Sequence, residues 1–196
     1  GRGAVRALVM LPWALPTAVM AMAWAWIFND SFGVLNDLLG RIGLIGGPVA
    51  WLGGAATAML ALVIADVWKT TPFVMLIVLA GLQGIPEHVL EAARVDGLSG
   101  WQRLQRVVLP LLTPSLLVAL AFRTVQAYGA FDLPYVMTGG GPGGATETVS
   151  LYAYQNYFRY LEFGYGSAVV VQGVVLAALL LAAMMHLARG WGRSAA

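Results

Sequence analysis

The stretch Glu91-Ala92-Ala93-Arg94-Val95-Asp96-Gly97, followed nine residues later by Val107-Val108-Leu109-Pro110, decides how this chain is read. It is the longest polar, charge-carrying interval between two strongly apolar runs. Three arginines, Arg94, Arg103 and Arg106, fall within it, in a chain with eleven basic residues. Pro86 suits the first turn of a helix, where its missing N–H costs nothing, and Gly97 suits a helix end. Ser99 is placed to cap a second short helix running into the next apolar run. On the first helix Glu91 and Val95 lie one turn apart, and Ala92 and Ala93 leave part of the surface almost bare. A short helix of this kind at a membrane surface is shaped to be gripped by another protein. Periodicity alone equally allows a plain solvated loop helix.

Composition supports the membrane setting. The chain is 60% hydrophobic and 10% charged, whereas charged residues make up roughly a quarter of an ordinary soluble domain. A net charge of +2 with dispersed basic residues does not point to nucleic acid. With no cysteine, disulfides and thiolate metal sites are unavailable. The two histidines, His88 and His186, have no carboxylate-rich company, so no metal is expected. The first apolar run is too long for a signal peptide. A start at Gly1-Arg2-Gly3 reads as an internal cut rather than a natural terminus.

Four segments are long and apolar enough to cross a bilayer, which takes about twenty residues. They cover residues 5–28, 55–82, 107–131 and 166–187. The first carries Pro12 and Pro16, tolerated in a bilayer where neighbouring groups satisfy the freed carbonyls. Trp24 and Trp26 near its end suit an interfacial belt. A short surface helix is expected at residues 33–39 and an interfacial one within 146–162. Gly139-Gly140-Gly141-Pro142-Gly143-Gly144 between them forbids regular structure. The fold class is therefore all-α, a polytopic transmembrane helical bundle of about four spanning helices. If the start is cytoplasmic, the inside carries Arg2, Arg6, Arg94, Arg103, Arg106, Arg189 and Arg193, and the outside only Arg41 and Arg159. That positive-inside bias puts the Glu91 loop in the cytoplasm.

No enzyme constellation stands out: the chain lacks His-Glu-x-x-His, Gly-x-Ser-x-Gly and any Cys–His pairing. It also lacks a Gly-x-x-x-x-Gly-Lys-Ser/Thr phosphate loop, so ATP is not bound by that route. Ionisable groups inside spans are costly and usually face a cavity or a partner. Asp66 and Lys69, three residues apart, can neutralise each other. Arg123 has no acid within a turn, which leaves Asp66 as its candidate partner from another helix. Alternatively Asp66, Lys69, Arg123 and Gln126 line a polar passage near mid-membrane. Sugars suit such a passage, because hydroxyls bond to Asp and Arg while C–H faces stack on aromatics such as Trp68, Phe73 or Tyr128. The tyrosines between 152 and 160 read as an interfacial girdle. Gly166, Ser167 and Gly173 read as a small face for close helix contact.

The Glu-Ala-Ala stretch, Gly97, and the Leu109-Pro110 pair with Val107 before it resemble the signature cytoplasmic loop of ABC importer permeases. The resemblance extends from Leu11 to about Leu187. It implies a type I permease fold, a single permease domain over residues 1–196 and a cytoplasmic coupling loop over 83–106. An external loop over 132–162 is expected, with two further helices before Gly1. It implies that Glu91, Ala92, Ala93, Asp96, Gly97, Leu109 and Pro110 form the coupling element that docks on an ATPase. Asp66 to Phe73 and Phe122 to Asp132 are similar to the sugar-lining helices of maltose-type permeases. By motif position the lining residues fall on Asp66, Lys69, Thr70, Phe73, Arg123, Gln126, Ala127 and Ala130. The second of those helices carries alanines, Ala127 and Ala130, where the maltose-type permease is richer in asparagine. The partners implied are a second, similar permease subunit, an ABC ATPase dimer that binds ATP in place of this chain, an extracytoplasmic substrate-binding protein and the lipid bilayer. The setting implied is the bacterial cytoplasmic membrane.

Overall fold

The computed structural model describes residues 2–194, with side-chain surroundings for residues 3–186. Every regular element among the described residues is helical. Helices α1 (Arg2–Ala14) and α2 (Thr17–Ile27) are followed by the short α3 (Val34–Arg41) and the long α4 (Ala55–Gln83). Two short helices come next, α5 (Glu87–Val95) and α6 (Gly100–Arg103). A π-helical turn (Leu104–Val108) joins α6 to α7 (Leu109–Tyr128) without a break. Then come α8 (Asp132–Met137), α9 (Val149–Tyr154) with a π-helical turn at Gln155–Arg159, and α10 (Phe163–Ser194).

Among the described residues three helices are long and apolar enough to span: α4, the continuous run Gly100–Tyr128, and α10. The expected first span is not one straight helix. It breaks between α1 and α2 with a bend of 89°, so the count is three, or four if the bent pair is taken as one span. Pro16 is the cause: it removes a backbone donor and drives Leu15 before it out of the helical region. Pro72 within α4 causes no such break. Just before it the Thr70 and Thr71 hydroxyls donate to the carbonyls of Asp66 (2.7 Å) and Val67 (2.6 Å).

The core sits where α2, α4 and α8 meet. Met20, Ala21 and Phe28 of the α2 segment pack with Ala61, Leu62 and Ala65 of α4 and with Leu133 and Met137 of α8. Ala61 and Ala65, two small residues one turn apart on α4, admit the other two helices. Elsewhere apolar surface stays uncovered: 17% of the apolar stretch of α4, 11% of Gly100–Tyr128 and 6% of α10 is buried within the chain. Such faces are stable against lipid or against further helices.

At Gly81 helices α4 and α7 lie close together. A Cβ there would collide with the Ser115 hydroxyl and lie 2.7 Å from Ser115 Cβ. On the far side α9 packs on α10. Gly166 lies under the Tyr157 ring, and the Tyr157 hydroxyl meets Ser167. The small face expected on the last span therefore receives an aromatic residue of the preceding segment. The other aromatics there are not a simple outward girdle, since Tyr154 packs with Phe131, Tyr135 and Phe158.

The segment between α2 and α4 is organised by Asn36. Its amide group donates to the carbonyls of Asp30 and Val49, both at 3.0 Å. Its oxygen accepts from the Val49 N–H (3.3 Å) and the Trp51 indole (2.8 Å).

Candidate functional site

Asp66 and Lys69 stand one turn apart on α4, and Arg123 and Gln126 one turn apart on α7. Helical spacing aims each pair to one side, and the packing of α4 on α7 turns the pairs toward each other. The Arg123 guanidinium forms an ion pair with the Asp66 carboxylate. A second guanidinium nitrogen donates to Gln126 Oε1 at 2.9 Å. The alternative in which Asp66 and Lys69 neutralise each other does not hold. The Lys69 ammonium instead donates to the Leu15 carbonyl, at 2.6 Å, in the break between α1 and α2. Geometry decides the difference, because Arg123 reaches Asp66 directly and the break offers Lys69 a free carbonyl.

Around these groups is a cavity of about 290 Å³. Asp66, Lys69, Thr70, Arg123, Gln126 and Ala130 line it, and so do Trp13, Thr17, Gly129, Phe131, Asp132 and Leu133. Of the eight residues expected to line a passage, six meet here. Phe73 lies outside the lining: its ring stacks on Trp13 (6.1 Å between centroids, planes 15° apart) and packs against Phe122. Ala127 is exposed and also outside the lining. Trp13, Thr17 and Asp132 were not expected. Trp13 and Thr17 flank the Pro16 break, and the irregular turn after α7 brings Asp132 back toward the cavity. Asp132 could have been suspected as an acid at a span end beside two spans carrying cations.

Two wider hollows are built differently. One of about 760 Å³ lies over α3, lined by loop backbone with Asp30, Asp37 and Arg41. Another of about 460 Å³ lies between α9 and α10 beside Tyr152 and Tyr165. Neither collects charged side chains from two different spanning helices.

The second expected site is the α5–α6 elbow. Glu91, Ala92, Arg94, Val95 and Asp96 are exposed, while Ala93 is buried. Pro86 stands at the N-cap, one residue before the helix begins. Gly97 takes a φ of +73°, the left-handed conformation that ends a helix at low cost for glycine alone. Ser99 and Gln102 form a complete capping box on α6: Ser99 Oγ accepts from the Gln102 N–H at 3.3 Å, and Gln102 Oε1 accepts from the Ser99 N–H at 3.0 Å. Among the described residues Glu91 has no ion partner. Val95 is 88% exposed and Trp101 66% exposed, leaving a mixed acidic and apolar surface. Leu109 and Pro110 lie in the first turn of α7, which continues from α6, so one helical run joins the elbow to Arg123.

Comparison with known proteins gives this architecture its relatives. The chain is 50% identical over 176 residues to the trehalose/maltose transport system permease protein MalF of Thermococcus litoralis, covering 90% of this chain and 59% of that protein. It is 42% identical over 185 residues to the sulfoquinovosyl glycerol transport system permease protein SmoG of Agrobacterium fabrum, covering 94% and 59% respectively. The chain thus spans about three-fifths of the length of these curated relatives. A solved bacterial ABC transporter that imports the acidic polysaccharide alginate matches with a TM-score of 0.84 at 25% identity, over 96% of this chain and 65% of that one. Residues 1–193 match the family model described as the inner membrane component of binding-protein-dependent transport systems. With its helical bundle, its apolar spans and its Glu-Ala-Ala elbow, the chain belongs to that family of transport permeases.

Proposed function

We propose that this chain is part of the permease of an ATP-driven importer of carbohydrates, and that the cavity between α4 and α7 is its share of the pathway. The observation that carries the reading is the Asp66–Arg123 pair, held by two spanning helices and facing a cavity with Gln126, Thr70 and Thr17. A carboxylate and a guanidinium that satisfy each other at rest can each turn to a hydroxyl when a sugar arrives, without leaving a bare charge in the membrane. Trp13 and Phe131 supply the apolar walls on which C–H faces stack.

The charge balance favours an uncharged sugar over a polyol phosphate. Arg123 is matched by Asp66, and Lys69 shares its cavity with Asp132, so no surplus positive charge awaits an anion. The names of the relatives include both trehalose/maltose and a sulfonated sugar. For this chain the charge balance favours the former.

The remainder of the pathway would come from a second permease subunit, consistent with the apolar faces that α7 and α10 leave uncovered. The elbow at Glu91 would dock on an ATPase dimer that binds the ATP, and an extracytoplasmic binding protein would deliver the sugar. The positive-inside argument for a cytoplasmic elbow survives the broken first span. With Arg2 and Arg6 set aside, Arg94, Arg103, Arg106, Arg189 and Arg193 still oppose Arg41 and Arg159. The side chains of Arg189 and Arg193 lie outside the described residues.

The test is uptake into proteoliposomes holding the assembled transporter, its binding protein and internal ATP. Labelled trehalose, maltose, a sulfonated sugar and glycerol phosphate would be compared. Uptake of a neutral disaccharide in preference to both anions is expected. Preference for an anion would overturn the charge argument, and transport of none of the four would overturn the carbohydrate reading.

A further inference from the structure

Three residues of α4, within two turns, hold the two arms of the broken segment and the break itself. The Trp68 ring meets the Trp24 ring of α2 edge-on at 5.7 Å, and the Phe73 ring stacks on Trp13 of α1. Between them the Lys69 ammonium holds the Leu15 carbonyl. In an unbroken helix that carbonyl would accept from Val19, four residues on; here Pro16 ends the helix and the carbonyl turns outward. Helix α1 has no basic residue in its last turn to meet the partial negative charge of its C-terminal end. The cation arrives instead from 54 residues away. Trp13 and Thr17, one on each side of the break, line the same cavity as Lys69.

We propose that Lys69 is a latch: its ammonium fixes the bend between α1 and α2 while the cavity is empty, and a hydroxyl-bearing occupant that takes the ammonium releases it. Lys69 is thus a positioning residue whose charge links cavity occupancy to the angle of a neighbouring span. Lys69 lines the cavity and Leu15 does not, so an ammonium drawn to an occupant within the cavity moves away from the Leu15 carbonyl. The release step rests on the carbohydrate reading of the cavity; the resting latch does not.

The sequence contains no cysteine, so two introduced at Val5 and Met22, both exposed, can carry spin labels in the assembled, otherwise cysteine-free transporter. With a rise of about 1.5 Å per residue, an 89° bend puts these positions about 19 Å apart and a straight helix about 26 Å apart. Without sugar, the chain with Lys69 intact should give the short distance. Lys69→Met should shift population to the long one, and Lys69→Arg, which keeps a cationic donor, should restore the short one. The short distance persisting in Lys69→Met would overturn the latch and leave the carbohydrate reading untouched. Trehalose-loaded binding protein is then added, with bound sugar counted in the same sample. Bound sugar with an unchanged distance would overturn the release step. Absence of bound trehalose, maltose or any other neutral sugar tried would instead overturn the cavity reading on which that step rests.

Discussion

Arg123, near the end of α7, is paired with Asp66 of α4 across 57 residues of sequence. The side chains are 20% and 34% exposed, so the contact is only partly screened by solvent. Removing one partner strands the other charge between two helices. For fully buried pairs the loss is about 3–5 kcal/mol; at this exposure about 2 kcal/mol is more appropriate. Asp66→Asn and Arg123→Gln should each reduce uptake by about tenfold or more. The exchange Asp66→Arg with Arg123→Asp should recover part of it. Uptake measured alongside membrane-inserted protein separates a damaged pathway from a damaged fold. Equal loss in the single variants and the exchange would show that more than the pair is needed.

Asn36 joins Asp30, Val49 and Trp51 through one side chain. Asn36→Ala leaves these groups unpartnered at about 1–3 kcal/mol for each one shielded from water. Limited proteolysis from the outer face should then cut between α3 and α4 faster than in the parent chain. Asn36→Asp keeps the acceptor for Trp51 but loses the donors to the Asp30 and Val49 carbonyls, and it should fall between the two.

The elbow depends on two local devices. Ser99→Ala removes half of the capping box and should cost the α6 start about 1 kcal/mol. Gly97→Val places a β-branched residue at a φ of +73° and should cost more than about 1 kcal/mol. Both should leave the spans inserted and lower the ratio of sugar imported to ATP hydrolysed, the glycine variant more. Counting both quantities in one proteoliposome preparation checks the order.

Gly81 tests the close contact between α4 and α7. Gly81→Val has no room beside Ser115 and Leu112 and should force the helices apart. With Ser115→Gly added, part of the loss should return. Thermal stability of the detergent-solubilised transporter is the readout, and no recovery in the double variant would mean that the two residues do not share the space.

Some of this could be read from the chain and some could not. Helix α4 was expected over residues 55–82 and occupies Ala55–Gln83, because an apolar run between Gly54 and Gly84 leaves little choice of ends. The elbow was legible for the same reason: Pro86, Gly97 and Ser99 act within a turn of their own positions. The 89° bend was not. A proline in a bilayer can kink a helix slightly or end it, and the groups that meet the broken end, Lys69 above all, come from a distant segment. Spacing likewise allowed Asp66 two partners. The choice of Arg123 depends on how α4 and α7 cross, which side-chain periodicity within one helix does not specify. Asp132 enters the cavity through the turn after Tyr128, whose path depends on Thr148 donating to the Ala130 carbonyl at 2.6 Å.

The account as a whole depends on an outside motor acting through α5. Glu91 is exposed on that helix, and if its carboxylate is what docks, charge reversal there should weaken the docking. The most direct measurement is ATP hydrolysis and sugar uptake recorded together in proteoliposomes for Glu91→Lys. The expected result is uptake per ATP reduced by about tenfold or more, with the subunit still inserted in the membrane. Uptake per ATP equal to that of the parent chain would contradict it.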